Sequence, residues 1–391
     1  MKLLQKKYKQ NISLILILLL VIFGFFHLIV SVLPIDPSSQ FILLAQSFLH
    51  KRLYFSGNVY DSALYNGHYY YPLGPLPALI LTPFMYISAR FTQGYLSILL
   101  SITNFYLLFL IAKVIIKNYV NSLWLAFAYI FASANIFISF TAWSCSLSQV
   151  LATTLLLLAL YELITKKRYV LVGIYIAFAI STRINLILSS LFFILVIIKS
   201  SPTKKKINAI AMFLLPICIM TIILMLYNYL RFNSFFETGY HYQQLSYELA
   251  ENFKFGMWNI IHFPANIYYF IFKGPEAVFV PGTKVLTYPY LKLDTWGMSI
   301  VYTSPIFLYI LFKRKAIDIV NYALLISSIL LFFCLGYYGI GVRQFGYRYA
   351  LDFYPFLYIA LAYSFQNGMS NSAKILIVFS FIFNYYLVQM V

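Results

Sequence analysis

Acidic residues are scarce in this chain: Asp and Glu number 10 among 391 residues, against 28 Lys and Arg. No D-x-D pair occurs, and nothing resembles the compact paired carboxylates of glycosidases. Cysteine is nearly as rare. Cys145, Cys218 and Cys334 lie within or at the edge of apolar runs, without metal-ligand spacing or an even count, which argues against a disulfide framework or a zinc site. No A-x-A site follows the basic start Lys2, Lys6, Lys7, Lys9, and the uncharged stretch 12–33 is too long for a cleavable leader, so it reads as a signal-anchor helix that stays. There is no convincing internal repeat and no soluble stretch of domain size.

What remains is apolar. Hydrophobic residues make up 62% of the chain, charged ones 10%, and mean hydropathy is +0.83, more than a globular core can absorb, so the bilayer is the main solvent. The net charge of +18 does not mark a nucleic-acid binder, because Lys and Arg sit in short clusters between apolar runs, as the positive-inside bias produces. Expected spans are 12–33, 95–116, 121–142, 146–164, 169–181, 184–198, 207–230, 297–312, 316–337, 352–366 and 375–390. The expected fold is all-α, a polytopic transmembrane bundle of about 11 spans forming a single domain, 1–391.

Residues 77–89 decide the topology. If they do not cross, the N-terminus and the clusters at Lys113/Lys117, Lys166/Lys167/Arg168, Lys199/Lys204/Lys205/Lys206 and Lys313/Arg314/Lys315 all fall inside; if they cross, each cluster moves outside. A juxtamembrane or re-entrant helix is therefore expected there. The expected placement is a multi-pass protein of the cell membrane with a cytoplasmic N-terminus. Its outer face carries a first loop, 34–94, with juxtamembrane helices, a second loop, 231–296, and a shorter segment, 338–351. Eight acids then lie outside (Asp36, Asp61, Glu237, Glu248, Glu251, Glu276, Asp294, Asp352), whereas 17 of the 28 Lys and Arg lie inside. Acids are weak topology determinants, so their segregation points to chemistry on the outer side.

Asp36 stands where the first span leaves the bilayer. It reads either as the cap of the short amphipathic helix that follows or as a general base whose pKa is raised by partial desolvation. Asp61 and Glu237, both outer and flanked by aromatics, are reserve candidates. Asn66-Gly67 is a turn signal, and the neighbouring His68, Tyr70 and Tyr71, with Tyr240, His241 and Tyr349, suit either an interfacial belt or a sugar-stacking surface. Arg231 either anchors a span end or meets a phosphate. Arg343 and Arg348 sit at an outer mouth where bidentate guanidinium groups could clamp a diphosphate, or Arg348 pairs with Asp352 at i,i+4. Arg183, between two short apolar halves, marks an outer polar cavity or snorkels to the interface. His27, deep in a span, reads as a packed residue or a proton relay.

Four segments, Asp36 to Phe55, Asn66 to Leu79, Tyr227 to Tyr240 and Phe345 to Phe356, resemble in this order the membrane glycosyltransferases of the GT-C superfamily, relatives of protein O-mannosyltransferases and the lipid A aminoarabinose transferase. The resemblance implies an inverting hexosyl- or pentosyltransferase. It would take a polyprenyl-phosphate sugar donor and a lipid, glycan or protein acceptor, with membrane lipids as surroundings and no nucleic acid. It assigns Asp36 the base position and the Arg348 region the donor phosphate. Many relatives carry a second acid after the first; Pro37 stands there instead, which leaves a divalent metal an open question and names no metal ligand or other cofactor. The competing readings are a transporter or flippase, a ligase or polymerase of lipid-linked saccharides, and a structural membrane subunit.

Overall fold

Long uncharged runs of Leu, Ile and Phe satisfy their backbone polar groups without water only by closing i→i−4 hydrogen bonds. The computed structural model describes residues 2–33, 39–88, 90–141, 143–341 and 343–390, and these are accordingly mostly helical. Among the described residues six helices are long and apolar enough to cross a membrane: Gln10–Val32, Gln93–Ile116, Ser144–Thr165, Thr203–Phe232, Asp318–Leu335 and Asn371–Val388. The span expected over 121–142 is a pair, Tyr119–Phe131 and Asn135–Thr141, bent by 64°. Length and composition thus give six crossings, or seven with that pair, where the sequence suggested eleven. The other four expected spans are short or broken. Residues 169–200 form Tyr169–Thr182 and Ile184–Ser200, interrupted at Arg183. Residues 297–312 divide into Ile300–Thr303, Pro305–Leu308 and Tyr309–Lys313, because Pro305 offers no N–H. Residues 352–366 reduce to the helix Tyr354–Ser364 after a tight turn at Arg348–Asp352. The stretch expected to be juxtamembrane is Leu76–Ile87, 12 residues long, or about 18 Å against a hydrocarbon core of about 30 Å.

Two β-hairpins, not expected for an all-α chain, interrupt the helices. In the first, β1 (Ala63–Tyr65) pairs antiparallel with β2 (His68–Tyr70) across Asn66 (φ 47°) and Gly67 (φ 77°), the positive angles a two-residue type I′ turn requires. In the second, β3 (Glu276–Phe279) pairs with β4 (Leu286–Lys292).

The chain forms two compact units, each assembled from separate stretches of sequence. One unit comprises 1–30, 108–140 and 252–391. Its interior is aromatic: Trp124, Tyr129, Phe127, Phe131, Tyr354 and Tyr358 are almost fully buried, and the Tyr358 hydroxyl donates to the Leu108 carbonyl. The other comprises 31–107 and 141–251. There the helix Tyr169–Thr182 packs so closely on Thr203–Phe232 that a Cβ on Gly173 would lie 2.2 Å from the Phe213 carbonyl oxygen.

The base of the β3–β4 hairpin is held by charge. Lys273 Nζ lies 2.6 Å from Glu276 and 3.1 Å from Asp294, and Asp294 also accepts from the Tyr269 hydroxyl (3.1 Å) and the Trp296 N–H (2.9 Å). Burial alone lowers the Lys273 pKa, but its hydrogen bonds to Glu276 and Asp294 outweigh burial and hold it above the ordinary lysine range. Burial raises Asp294, yet the Trp296, Lys273 and Tyr269 donors keep it below its usual range; Lys273 and Lys292 do the same for Glu276. Burial and the Asp294 carboxylate push Tyr269 up to about 12.

The carboxylate contribution to stability is complete above about pH 4 and is lost as pH falls through the depressed values; the lysine contribution is complete below about pH 10 and is lost above it. A stability plateau between about pH 5 and pH 10 follows. Lys273→Met leaves Asp294, 20% exposed, without its cation, at a cost of roughly 2–4 kcal/mol. An unchanged melting temperature in detergent at pH 7 would contradict this account.

Candidate functional site

Asp36 lies outside the described residues; the helix that follows, Gln40–Leu49, has Ser39 at its N-cap. The other candidates divide between the two units.

The unit containing 31–107 and 141–251 brings together Asp61, His68, Tyr70, Tyr71, Arg183, Arg231, Glu237, Tyr240 and His241. Its framework is the β1–β2 hairpin. Phe55 bridges β2 at Tyr69, Ala63 of β1 bridges Gln243, and the Gln244 N–H donates to the Ser62 carbonyl at 2.8 Å, so the segment after Gly239 is stitched to the segment after Asp61. Beneath it Ala63, Tyr70 and Phe232 form a small apolar core, with Tyr65 and Tyr242 rings packed around Phe232. Gly239 (φ 100°) is a required glycine. A Cβ there would stand 2.8 Å from the Phe232 ring, and few L side chains adopt that angle.

The two reserve carboxylates are held by these stitches. Asp61 sits in the left-handed region (φ 65°), which Asp tolerates, and accepts from Gln243 Nε2 at 2.5 Å. Glu237 accepts from the Gly239 N–H at 2.6 Å and contacts His241 Nδ1 at 2.9 Å. Its side chain is 15% exposed and that of His241 64%. An imidazole whose Nδ1–H is held by a carboxylate presents a basic Nε2, so His241 has an orientation that its sequence position did not disclose. The pair is at i,i+4, but the segment is not an α-helix, and only the loop geometry closes the contact.

Two aromatics expected to meet substrate are buried in packing. Tyr70 is 7% exposed and Tyr71 1%. Burial raises the Tyr71 phenol well above its ordinary value, and the nearby Asp61 carboxylate, Cys145 and Tyr240 add to the rise. His68 stacks on Tyr54 with ring centroids 4.1 Å apart and remains exposed, while Tyr240 is half-buried.

Arg231 is 4% exposed. Its guanidinium lies 4.0 Å from the Tyr227 ring centroid and 4.7 Å from that of Phe232, and it donates to the Tyr71 carbonyl (2.8 Å) and Asn228 Oδ1 (2.7 Å). That geometry fixes the loop after β2 onto the end of the candidate span Thr203–Phe232 and leaves the guanidinium enclosed. Arg183 ends the helix Tyr169–Thr182. The loop at Gly74 lies so close to this helix end that a Cβ would meet the Ser181 carbonyl oxygen at 2.1 Å.

The second unit holds Arg343, Arg348 and Tyr349. Gln344, 1% exposed, organises this loop: its Nε2 donates to the carbonyls of Trp296 (2.6 Å) and Ile340 (2.9 Å), and its Oε1 accepts from the Arg348 N–H (3.0 Å). Gly297 and Gly341, both at positive φ, clear the space it fills. Arg343 is exposed, and Arg348 is half-buried with its guanidinium 5.4 Å from the Tyr349 ring centroid. Among the described residues no group of three or more His, Cys, Asp or Glu is arranged to hold a metal ion. No family model, curated protein or solved structure matches this chain.

Proposed function

We propose that this chain is an inverting glycosyltransferase that moves a sugar from a polyprenyl-phosphate donor to an acceptor hydroxyl at the outer membrane surface. The observation that carries the reading is that the Gln243–Asp61 hydrogen bond joins residues 182 apart in sequence, tying the Asp61 loop to the loop of the Glu237–His241 pair that follows the candidate span Thr203–Phe232. Direct displacement at an anomeric carbon needs one base near the acceptor and a cation for the departing phosphate. Asp36, by its sequence position, is the proposed base, with Asp61 and the Glu237–His241 pair as its alternates. By sequence position alone, Arg348, with Arg343 beside it in sequence, is the proposed phosphate ligand.

The eleven-crossing topology with a cytoplasmic N-terminus belongs to the same proposal. Within one unit, Ser13, Trp124 and Lys374 are hydrogen-bonded at one level, while His27 meets Tyr385 at another. Ser13 and His27 are about 21 Å apart along a helix. Within the other, Tyr169 meets Ser201 beside the lysine cluster, whereas Ser181, at the far end of the same short helix, meets Gly74. Each pairing joins residues that this topology assigns to one side.

Mass spectrometry of envelope glycans and prenyl-phosphate sugars in cells with and without the gene tests the reading. One prenyl-phosphate sugar is expected to accumulate, and its acceptor to lose that sugar, on deletion. Identical profiles would remove the glycosyltransferase reading.

A further inference from the structure

The β3–β4 hairpin has the wrong surface for a water-exposed loop. Along both strands accessibility alternates; the exposed face of β4 carries Leu286, Tyr288, Tyr290 and Lys292, and Phe279 of β3, paired with Leu286, joins it, whereas Ala277 pairs with Leu291 across a register shift. Tyr288 is 76% exposed, Val285, at the turn, 64%, and Leu286 52%. These side chains are contiguous, because Phe279 pairs with Leu286 across the ladder and the turn closes through the Val280 N–H to the Val285 carbonyl at 2.9 Å. A contiguous apolar face marks an interaction site, whereas isolated exposed apolar residues do not.

Two observations identify what covers it. The Tyr386 hydroxyl, in the last turn of the candidate span Asn371–Val388, donates to the Pro289 carbonyl of β4, which sets the hairpin at the level where that span ends. The same helix leaves Ile375, Phe379 and Ile382 exposed at helical spacing, an apolar stripe leading toward that end. The hairpin also carries a cation at its turn, Lys284, 5.5 Å from the Phe279 ring centroid, whereas Lys292 at the base is ion-paired with Glu276. Aromatic rings flanked by lysine at the end of a span fit the headgroup region, where the ring bodies are dry and the polar tips wet.

We propose that the β3–β4 hairpin is a membrane-surface anchor that inserts Val285, Leu286 and Tyr288 at the headgroup–acyl boundary, with Lys284 facing anionic phospholipid. The inference rests on the membrane reading of the chain and is independent of the sugar chemistry.

The test uses the full chain with its three native cysteines replaced, in nanodiscs of phosphatidylcholine with or without phosphatidylglycerol. An environment-sensitive fluorophore is attached singly at Val285→Cys, Tyr288→Cys, Phe379→Cys or Asn367→Cys. Labels at 285 and 288 are expected to be quenched by spin-labelled lipid at least half as strongly as the label at 379. Aqueous iodide should quench them several-fold less than the label at 367. Adding Lys284→Glu should reduce lipid quenching at 285 in the anionic discs and leave it unchanged in the neutral ones. Iodide access at 285 and 288 equal to that at 367, with 379 still lipid-quenched, would overturn the anchor alone. Iodide access at 379 as well would overturn both the anchor and the span. Lipid quenching that ignores Lys284→Glu would overturn the anionic-lipid contact.

Discussion

Asp36→Asn is expected to lower sugar transfer about a hundredfold or more, the usual range for removing a general base, with expression and donor binding retained. Asparagine keeps the shape and most hydrogen-bonding capacity of aspartate but cannot accept the acceptor's proton. Asparagine is as good a helix cap as aspartate, so the loss is not expected to come from helix capping. Asp61→Asn and Glu237→Gln should behave differently. Asp61 accepts the short Gln243 bond, and Glu237 caps its own turn through the Gly239 N–H, so both carboxylates hold the loops in place. Their substitution is expected to lower thermal stability by about 1–3 kcal/mol, through weakened charge-assisted hydrogen bonds, with turnover falling less than in Asp36→Asn. His241→Ala separates the remaining option. Near-normal turnover in Asp36→Asn, together with equal collapse in Glu237→Gln and His241→Ala, would move the base to the imidazole that Glu237 orients. Normal turnover in all four variants would argue against base catalysis by this face of the protein.

How far the sequence discloses this arrangement depends on the length scale of each signal. Long uncharged runs are legible because a single helix must satisfy its own backbone, and six of them are helices of spanning length. Asn66-Gly67 is legible as a turn because only a few residues adopt positive φ at two successive positions, whereas the three-residue strands on either side of it are too short to announce themselves. The break at Arg183 is likewise marked by a charge inside an apolar run. The β3–β4 hairpin is harder to read. Its turn, Pro281-Gly282, is a recognisable punctuator, but both faces of its strands carry apolar or aromatic residues, so the period-2 alternation is erased. Least legible are the contacts that give the candidate site its shape. Gln243 to Asp61 joins residues far apart in sequence, and no local pattern announces it. Gln344, which organises the Arg348 loop, looks in sequence like an ordinary polar residue between aromatics. Its role emerges only where two positive-φ glycines leave room for its amide.

Arg231 illustrates why a residue's position in sequence does not fix its role, and substitution there is expected to have the largest effect on stability. A cation at a span end suits a phosphate, but this guanidinium is enclosed between Tyr227 and Phe232 and spends donors on the Tyr71 carbonyl and Asn228. Arg231→Ala removes a desolvated cation–π contact worth about 2 kcal/mol. It also strands a buried carbonyl at about 1–3 kcal/mol, so a total loss of roughly 3–5 kcal/mol is expected, read as a fall in melting temperature in detergent. Arg231→Lys retains the charge but not the planar fork, and is expected to recover no more than about half of that stability. In variants that fold, donor KM should stay near the wild-type value, because the group they alter faces protein. Arg348→Ala is expected to act on the donor, since its side chain is half-buried beside Tyr349 and its loop is fixed through the backbone N–H to Gln344. Donor KM should rise at least tenfold, the scale of one charge-assisted phosphate contact of about 1.5–3 kcal/mol. A raised donor KM in Arg231→Lys at unchanged melting temperature would return Arg231 to the phosphate site, and an unchanged KM in Arg348→Ala would take Arg348 out of it.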